Sequence, residues 1–277
     1  MVAADEPARP RLACPFHGWV YDLDGALLSR PYAEAAFADI PAADCGLKPI
    51  RVAEKHGLIL ARLEGGDIDV DDALYGAQAD IAPLGLETYA FIEARENTWA
   101  FNWKLVVDTF CEAYHIRALH KDSIAPHYLS EVSFCDAYGP HPQQIGLLRS
   151  VLAEIEKPDT ADWRLLPHAT SQLIFMPSGL ITFQRDHVEL WRVTPLAVDK
   201  TLVRTSLYAP QAPTSDKAWT YWRKNFDILL DVTGREDFPM MKTIHDSLAA
   251  GALADVVYGR NEPALIHLHK SINAALD

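Results

Sequence analysis

The sequence predicts an α+β protein, in which a β-rich start precedes an antiparallel sheet that packs helices on one face. Short β-prone segments separated by Gly, Pro and Asp occupy the first 63 residues. Residues 172–208 hold three further β-rich runs, broken by two turn-forming stretches. Between residues 218 and 250, the side chains of Trp219, Trp222 and Phe226 recur at helical spacing. At about 150 residues per domain, a chain of 277 residues has room for one large domain or two smaller ones.

Each element has its own signal in the sequence. The Asp24-Gly25 pair is typical of a hairpin turn. The predicted strands comprise residues 19–23, 50–53, 58–63, 88–94, 98–101, 173–176, 180–194 and 201–208. The predicted helices comprise residues 105–119, 218–250 and 263–276.

An acidic stretch separates the two parts of the chain. Residues 64–87 contain seven Asp or Glu and no Lys or Arg. Gly65-Gly66 begins this stretch, and Pro83 and Gly85 end it, which favours a solvated connection. We therefore predict a first domain at residues 1–66, an acidic connection at 67–85 and a second domain at 86–277.

Composition limits the partners and the compartment. The net charge of −13 disfavours binding to nucleic acid or to an anionic membrane. The four cysteines (Cys14, Cys45, Cys111 and Cys135) are too few and too scattered for a disulfide framework. The N-terminus has no apolar signal-peptide core, and no apolar run approaches the length of a membrane span. We expect a cytoplasmic protein.

Two groups of residues have the composition of metal sites. Cys14 and His17 form a C-x-x-H pair, and a thiolate and an imidazole at this spacing can bind one iron or zinc ion. A bare C-x-x-H is more often a structural cysteine beside a hydrogen-bonded histidine. Its flanking residues, Pro-Phe before His17 and Gly-Trp after it, make this pair far more specific.

The second group lies in the predicted helix at residues 105–119. At 100° per residue, Asp108, Glu112 and His115 lie within about 60° of one another on a helix. His120 follows His115 by five residues, about 140° around the helix axis, so one ion can bind both only if the helix ends or is distorted between them. The alternative is an amphipathic helix with its polar residues in water.

Together, the two motifs resemble those of the Rieske non-heme iron oxygenases, the ring-hydroxylating α-subunit family. Cys14-Pro-Phe-His17-Gly-Trp resembles the second half of the [2Fe-2S] cluster motif, and the family's first half, C-x-H, would fall before Met1. The resemblance therefore implies a partial Rieske domain in which Cys14 and His17 bind the cluster. The pattern D-x3-[DE]-x2-H-x4-H, with Asn-Trp-Lys just before it, resembles the mononuclear-iron motif.

The second motif implies roles for four residues. His115 and His120 would bind Fe(II), and Asp108 and Glu112 would be catalytic. In the family, the acid at the position of Glu112 links an iron-binding histidine to a cluster-binding histidine of a neighbouring subunit; most members have Asp there, so Glu112 is a departure.

The third iron ligand must be a carboxylate farther along the chain. The family places an Asp at the start of a late helix, and Asp237 fits that place. Its competitors are Glu236, Asp231 and Asp246. The alternative is that Asp237 caps a helix beginning near Phe238. His187, in the predicted meander, is in a position to line the pocket.

The resemblance also implies a fold and a function. It implies a helix-grip (START-like) catalytic domain, with an antiparallel sheet and long helices, at residues 86–277. In such a protein, O2 is activated at iron and oxygen enters an apolar, usually aromatic, substrate, as in aromatic hydrocarbon catabolism. Electrons come from NAD(P)H through a separate reductase or ferredoxin, and the subunits form a homotrimer. Two other hypotheses remain: a redox-inactive iron- or ligand-binding protein of the same fold, and a zinc hydrolase using the same two histidines and one carboxylate.

Overall fold

The computed structural model describes residues 10–276. The chain divides into two compact units, one comprising residues 10–54 and 59–69 and the other residues 55–58 and 70–276. None of the described helices has the length and hydropathy needed to cross a membrane.

The first unit contains a small antiparallel sheet of three strands. β1 (Leu12–Ala13) pairs with β2 (Val20–Tyr21), and β2 pairs with β3 (Leu27–Ser29). Gly25 lies in the turn between β2 and β3 with φ 87°, a conformation that favours glycine, so the predicted hairpin is confirmed. Next along the chain come α1 (Ala33–Phe37) and a separate hairpin of β4 (Arg51–Lys55) and β5 (Leu58–Arg62), which were predicted as strands.

The composition of the acidic stretch predicted a solvated connection, but the structure shows that part of this stretch is helical and buried. It contains α2 (Val70–Leu74) and α3 (Gln78–Ile81). Val70, Leu74, Ala77 and Ile81 are buried, and they recur at helical spacing while the acids occupy the positions between them. The prediction was wrong because it weighed the charge and overlooked this apolar periodicity.

The second unit is built on a seven-stranded antiparallel sheet. The strand order is β6-β12-β11-β10-β9-β8-β7. In chain order, the elements are β6 (Ala90–Trp99), α4 (Lys104–Thr109), α5 (Ile116–Leu119), β7 (Tyr128–Tyr138), β8 (His141–Leu148), α6 (Val151–Ile155), β9 (Ala169–Phe175), β10 (Gly179–Gln184), β11 (His187–Ala197), β12 (Lys200–Ala209), α7 (Asp216–Val232), α8 (Phe238–Ala249) and α9 (Pro263–Ala274).

The predicted meander is confirmed, with two corrections. The run at residues 180–194 is two strands, because the chain reverses at Arg185, where φ is 58°. Strands β7 and β8 were not predicted at all. The antiparallel sheet with its covering helices nonetheless confirms the predicted α+β class.

One face of this sheet carries the core. Residues directly opposite each other on antiparallel strands share a face, and the pairs Leu180↔Trp191 and Val193↔Val203 do so here. Side chains from the helices and from the segment after β6 pack on these residues, and all of those named next are buried: Phe101, Val106, Val107, Cys111, Phe238, Met241, Ala264, Leu265 and Leu268. The same sheet face continues beyond this apolar region towards the tight turn at Arg185.

His141 ties the acidic segment to the sheet, and its hydrogen bonds require a neutral ring. Nε2 lies 2.9 Å from the carbonyl oxygen of Ala73, and Nδ1 accepts from the N–H of Met176 at 3.0 Å. Burial lowers the pKa of His141 below its usual value of about 6.5. Its contribution to stability is therefore present above about pH 6.5 and is lost as the pH falls towards the folded-state pKa.

We therefore expect the stability advantage of wild type over His141→Gln to shrink between about pH 7.5 and about pH 5. The measurement is the free energy of unfolding in urea for both proteins across that range. The difference between the two isolates His141 from other titrating groups, because those groups are common to both proteins. A difference that stays constant with pH would contradict this account.

Candidate metal centre

The segment carrying the two histidines is not the single helix that its sequence predicted. α4 ends at Thr109, and α5 begins only at Ile116. Between them, the carboxylate of Glu112 accepts hydrogen bonds from the backbone N–H groups of Tyr114 and His115, and such side-chain bonds compete with a helix. His115 precedes the short α5, and His120 follows it with non-helical backbone angles (φ −97°, ψ 22°); their rings lie 5.1 Å apart. The helix therefore ends at His120, as the five-residue spacing required if one ion is to bind both histidines.

Asp237 lies within a long helical run, where the sequence predicted the start of a helix. α7 passes into a π-helical turn at Thr233–Asp237, and α8 follows directly. Asp237 has helical backbone angles and makes no capping hydrogen bond, so the capping interpretation is wrong. A π-helical turn inserts an extra residue and re-aims the side chains around it. Here, the side chain of Asp237 is buried.

Three ligand-type atoms meet at this point. Asp237 Oδ1 lies 3.1 Å from Nε2 of His120 and 3.5 Å from Nε2 of His115. One such atom from each of the three residues can be chosen so that all lie within 4.8 Å of one another. Oδ1 is buried and has no hydrogen-bond partner. A buried carboxylate oxygen without a partner is costly, whereas two imidazole nitrogens and one carboxylate oxygen are a donor set for a transition metal.

Two further carboxylates orient the imidazole rings. Nδ1 of His115 is hydrogen-bonded to Glu112, and Nδ1 of His120 lies 2.6 Å from Oε2 of Glu236. With Nδ1–H donated to a carboxylate, each ring keeps the Nε2 lone pair for a metal ion that Asp237 Oδ1 would also bind. Burial opposes protonation of His120, but its attraction to Asp237 and Glu236 outweighs burial and raises the pKa of the ring.

Glu236 therefore orients a histidine and does not occupy the position of Asp237. We expect Glu236→Gln to lower the affinity for Fe(II) about 10-fold, because loss of a carboxylate partner weakens a metal-binding histidine. The measurement is anaerobic competition for Fe(II) against a chelator. Asp246→Asn is the control, since Asp246 is paired with Lys242 and is more than half exposed. Equal affinities of wild type and Glu236→Gln would contradict the orienting role.

The other acidic candidates lie elsewhere. Asp231 pairs with Arg235 at 2.6 Å. Asp108 lies 2.8 Å from Nε2 of His269 on α9, and burial raises the pKa of its carboxyl group. Asp108 was predicted to be catalytic, but it does not line the cavity beside His115, His120 and Asp237.

A cavity of about 230 Å³ adjoins the cluster. Its walls come from the segment 109–128, from α7 with the π-helical turn, and from the sheet. The sheet wall is polar and is formed by two rows of residues paired across strands: Gln144, Gln172 and Glu189 in one row, and Gly146, Thr170, Gln184 and His187 in the other. His187 was expected to line the pocket and does so.

Comparison with known proteins identifies the family. Residues 86–277, more than half of the chain, match the sequence model of the ring-hydroxylating alpha subunit, catalytic domain. The chain belongs to this family. The resemblance inferred from its two motifs is therefore confirmed.

Curated relatives carry the names of monooxygenases of quaternary ammonium compounds. The glycine betaine monooxygenase oxygenase subunit of Chromohalobacter salexigens is 25% identical over 230 residues, 70% of this chain and 51% of the relative. The choline monooxygenase of Beta vulgaris is 28% identical over 212 residues, 74% of this chain and 46% of the relative. The chain spans about half the length of these two relatives. Their names do not support the expected aromatic substrate.

Solved structures show the same fold. A quaternary ammonium Rieske monooxygenase in complex with an inhibitor has a TM-score of 0.81 and 15% identity, over 99% of this chain and 74% of that one. Naphthalene 1,2-dioxygenase from Rhodococcus sp. has a TM-score of 0.70 and 15% identity, over 98% of this chain and 76% of that one. The predicted fold, that of a Rieske oxygenase catalytic domain, is confirmed.

The C-x-x-H pair lies in the first unit. Cys14 and His17 occupy the loop between β1 and β2, which is closed by a hydrogen bond of 2.7 Å from the N–H of Cys14 to the carbonyl oxygen of Trp19. The backbone N–H groups of Phe16 and His17 lower the pKa of the Cys14 thiol. This loop therefore favours the thiolate, which is the form that binds iron.

Proposed function

We propose that this chain is the oxygenase component of a Rieske-type monooxygenase that inserts oxygen from O2 into a methylated ammonium compound. His115, His120 and Asp237 would bind mononuclear Fe(II). The observation that carries the proposal is the unpartnered Oδ1 of Asp237, buried between the Nε2 atoms of the two histidines.

The donor set fits Fe(II). Two imidazoles and one carboxylate form the set used by non-heme iron oxygenases, in which the bound metal supplies open positions for O2 beside the substrate. Other residues of this chain orient the ligands and the substrate. Glu112 and Glu236 hold the imidazole rings of the two histidines, and the cavity would hold the substrate beside the proposed iron site.

The electron supply is part of the same proposal. Cys14 and His17 would contribute ligands to a [2Fe-2S] cluster, fed by a separate NAD(P)H-dependent reductase or ferredoxin. Glu112, whose side chain is 12% exposed, would link a cluster-binding histidine of a neighbouring subunit to His115 within a homotrimer.

The substrate class follows from the relatives and from the size of the cavity. Binding sites for small molecules usually have about 300–1,000 Å³, and this cavity is smaller, which favours a compact substrate. Choline and glycine betaine, for which the relatives are named, are compact ions.

The test uses hydrogen peroxide, which replaces O2 together with two electrons and two protons, so that the reaction needs no [2Fe-2S] cluster: R–H + H2O2 → R–OH + H2O. Iron-loaded protein is mixed with peroxide and with choline or glycine betaine. Because every C–H carbon of these compounds is bonded to N or O, R–OH breaks down to an aldehyde or to a demethylated amine plus formaldehyde, which mass spectrometry measures. We expect these oxidised products from wild type and none from Asp237→Ala. Absence of product both here and with O2 plus a reductase would contradict the proposal.

A further inference from the structure

Glu189 is a buried carboxylate that the proposed iron site does not use. It lies on β11, is 1% exposed and lines the cavity. Oε1 lies 3.0 Å from Nε2 of His187, while Oε2 is buried without a hydrogen-bond partner. Burying a carboxylate is unfavourable unless a positive charge or donors compensate for the lost water. The empty space beside Glu189 is therefore a place where a positive charge would be stabilised.

The charges around Glu189 leave an excess of negative charge. His187 bonds Asp186 at 2.8 Å and Glu189 at 3.0 Å. Burial opposes protonation of His187, but the two carboxylates outweigh it and raise its pKa to about 9, so the ring is positive at neutral pH. One positive ring between two carboxylates leaves a net charge of about −1 in this hydrogen-bonded group; Arg185, which also attracts Asp186, is exposed and does not line the cavity.

The positive ring of His187, in the cavity wall, has both nitrogens engaged by Asp186 and Glu189. Among the described residues that line the cavity, the acids are Glu112, Glu189 and Asp237, and there is no Lys or Arg. A cation entering the cavity meets carboxylates, whereas an anionic group would be buried without a basic partner.

On the basis of the proposed function, we propose that Glu189 is the counter-ion for the cationic head of the substrate, and that the cavity selects a cation without a carboxylate. A compound such as choline, which has one positive charge and a hydroxyl group, fits these walls. Glycine betaine has the same trimethylammonium group and also a carboxylate, which finds no partner here.

The test is a calorimetric titration of Fe(II)-loaded protein under anaerobic conditions, where binding is measured without turnover. The ligands are choline, its uncharged carbon analogue 3,3-dimethyl-1-butanol, and glycine betaine. We expect choline to bind about 10-fold or more tightly than either of the others. We expect Glu189→Gln, which keeps the shape and removes the charge, to weaken choline about 10-fold and to leave the uncharged analogue unchanged.

Glu96→Gln is the matched control, because Glu96 is half exposed on β6 and bonds Arg204. Equal binding of choline and the uncharged analogue, equal binding of glycine betaine and choline, or an unchanged affinity of Glu189→Gln for choline would each overturn the inference. If Glu189→Gln does not fold, the three ligands on wild type decide the matter alone.

The binding test and the activity test can contradict the two proposals independently. Charge-dependent binding of choline without oxidised product would contradict the proposed function and leave the role of Glu189 intact. Oxidised product from glycine betaine, with tight binding of that compound, would contradict the selection and leave the oxygenase function intact.

Discussion

Replacing Asp237 with alanine is expected to abolish Fe(II) binding. The two imidazole nitrogens that remain form a much weaker site, because the charged ligand is lost. Anaerobic thermal unfolding measures this, since a ligand that binds only the folded state stabilises it by about 2.7 kcal/mol at 100 times its dissociation constant. Wild type should gain such a stabilisation on addition of Fe(II), and Asp237→Ala should gain none.

Metal-free protein separates binding from folding in the same experiment. Oδ1 of Asp237 is buried without a hydrogen-bond partner, so removing the carboxylate removes a desolvation cost of about 1–3 kcal/mol, which offsets the lost attraction to His120. We therefore expect metal-free Asp237→Ala to unfold no more easily than wild type. The control is Asp231→Ala on the preceding turn of the same helical run, where the side chain is about half exposed and the response to Fe(II) should be that of wild type. A full response to Fe(II) in Asp237→Ala would refute the assignment.

Replacing Trp191 with alanine is expected to have the largest effect on stability. Its side chain is fully buried on the core face of the sheet, with its ring 5.0 Å from that of Phe110. Truncating a buried tryptophan costs about 3–5 kcal/mol through lost burial and the cavity left behind. The measurement is the free energy of unfolding in urea.

Two further variants define the cause of that loss. Nε1 of Trp191 is buried without a partner, so Trp191→Phe keeps an aromatic ring, removes the unsatisfied N–H and should cost clearly less than the alanine change. Val198→Ala lies just beyond the same strand, 79% exposed, and should change stability by less than about 0.5 kcal/mol. Equal losses for Trp191→Ala and Val198→Ala would contradict the placement of the core.

Spacing in the sequence predicted which residues meet, but not how the backbone brings them together. The five-residue interval between His115 and His120 required a helix end or distortion, and α5 does end at His120, while the hydrogen bonds of Glu112 precede the start of α5. The π-helical turn at Thr233–Asp237 was not predicted, since the sequence indicated one helical run over residues 218–250. Local propensity does not record such a turn, because tertiary packing decides it.

Prediction of the sheet from the sequence was limited in the same way. The meander was predicted because its strands are rich in β-branched and apolar residues, whereas β8 was missed because His141, Gln143 and Gln144 are polar yet buried. Their burial depends on neighbouring strands and segments that are distant in sequence. Glu189 was missed for a related reason, since a lone Glu in a strand gives no sign of the cavity beside it.

The most direct test of the iron site is a crystal of the protein loaded anaerobically with Fe(II), with diffraction data collected on both sides of the iron absorption edge. The account predicts an anomalous peak in contact with Nε2 of His115, Nε2 of His120 and a carboxylate oxygen of Asp237, and no such peak in a crystal of Asp237→Ala. A peak that lies elsewhere in the second unit, or one at the zinc edge in its place, would contradict it.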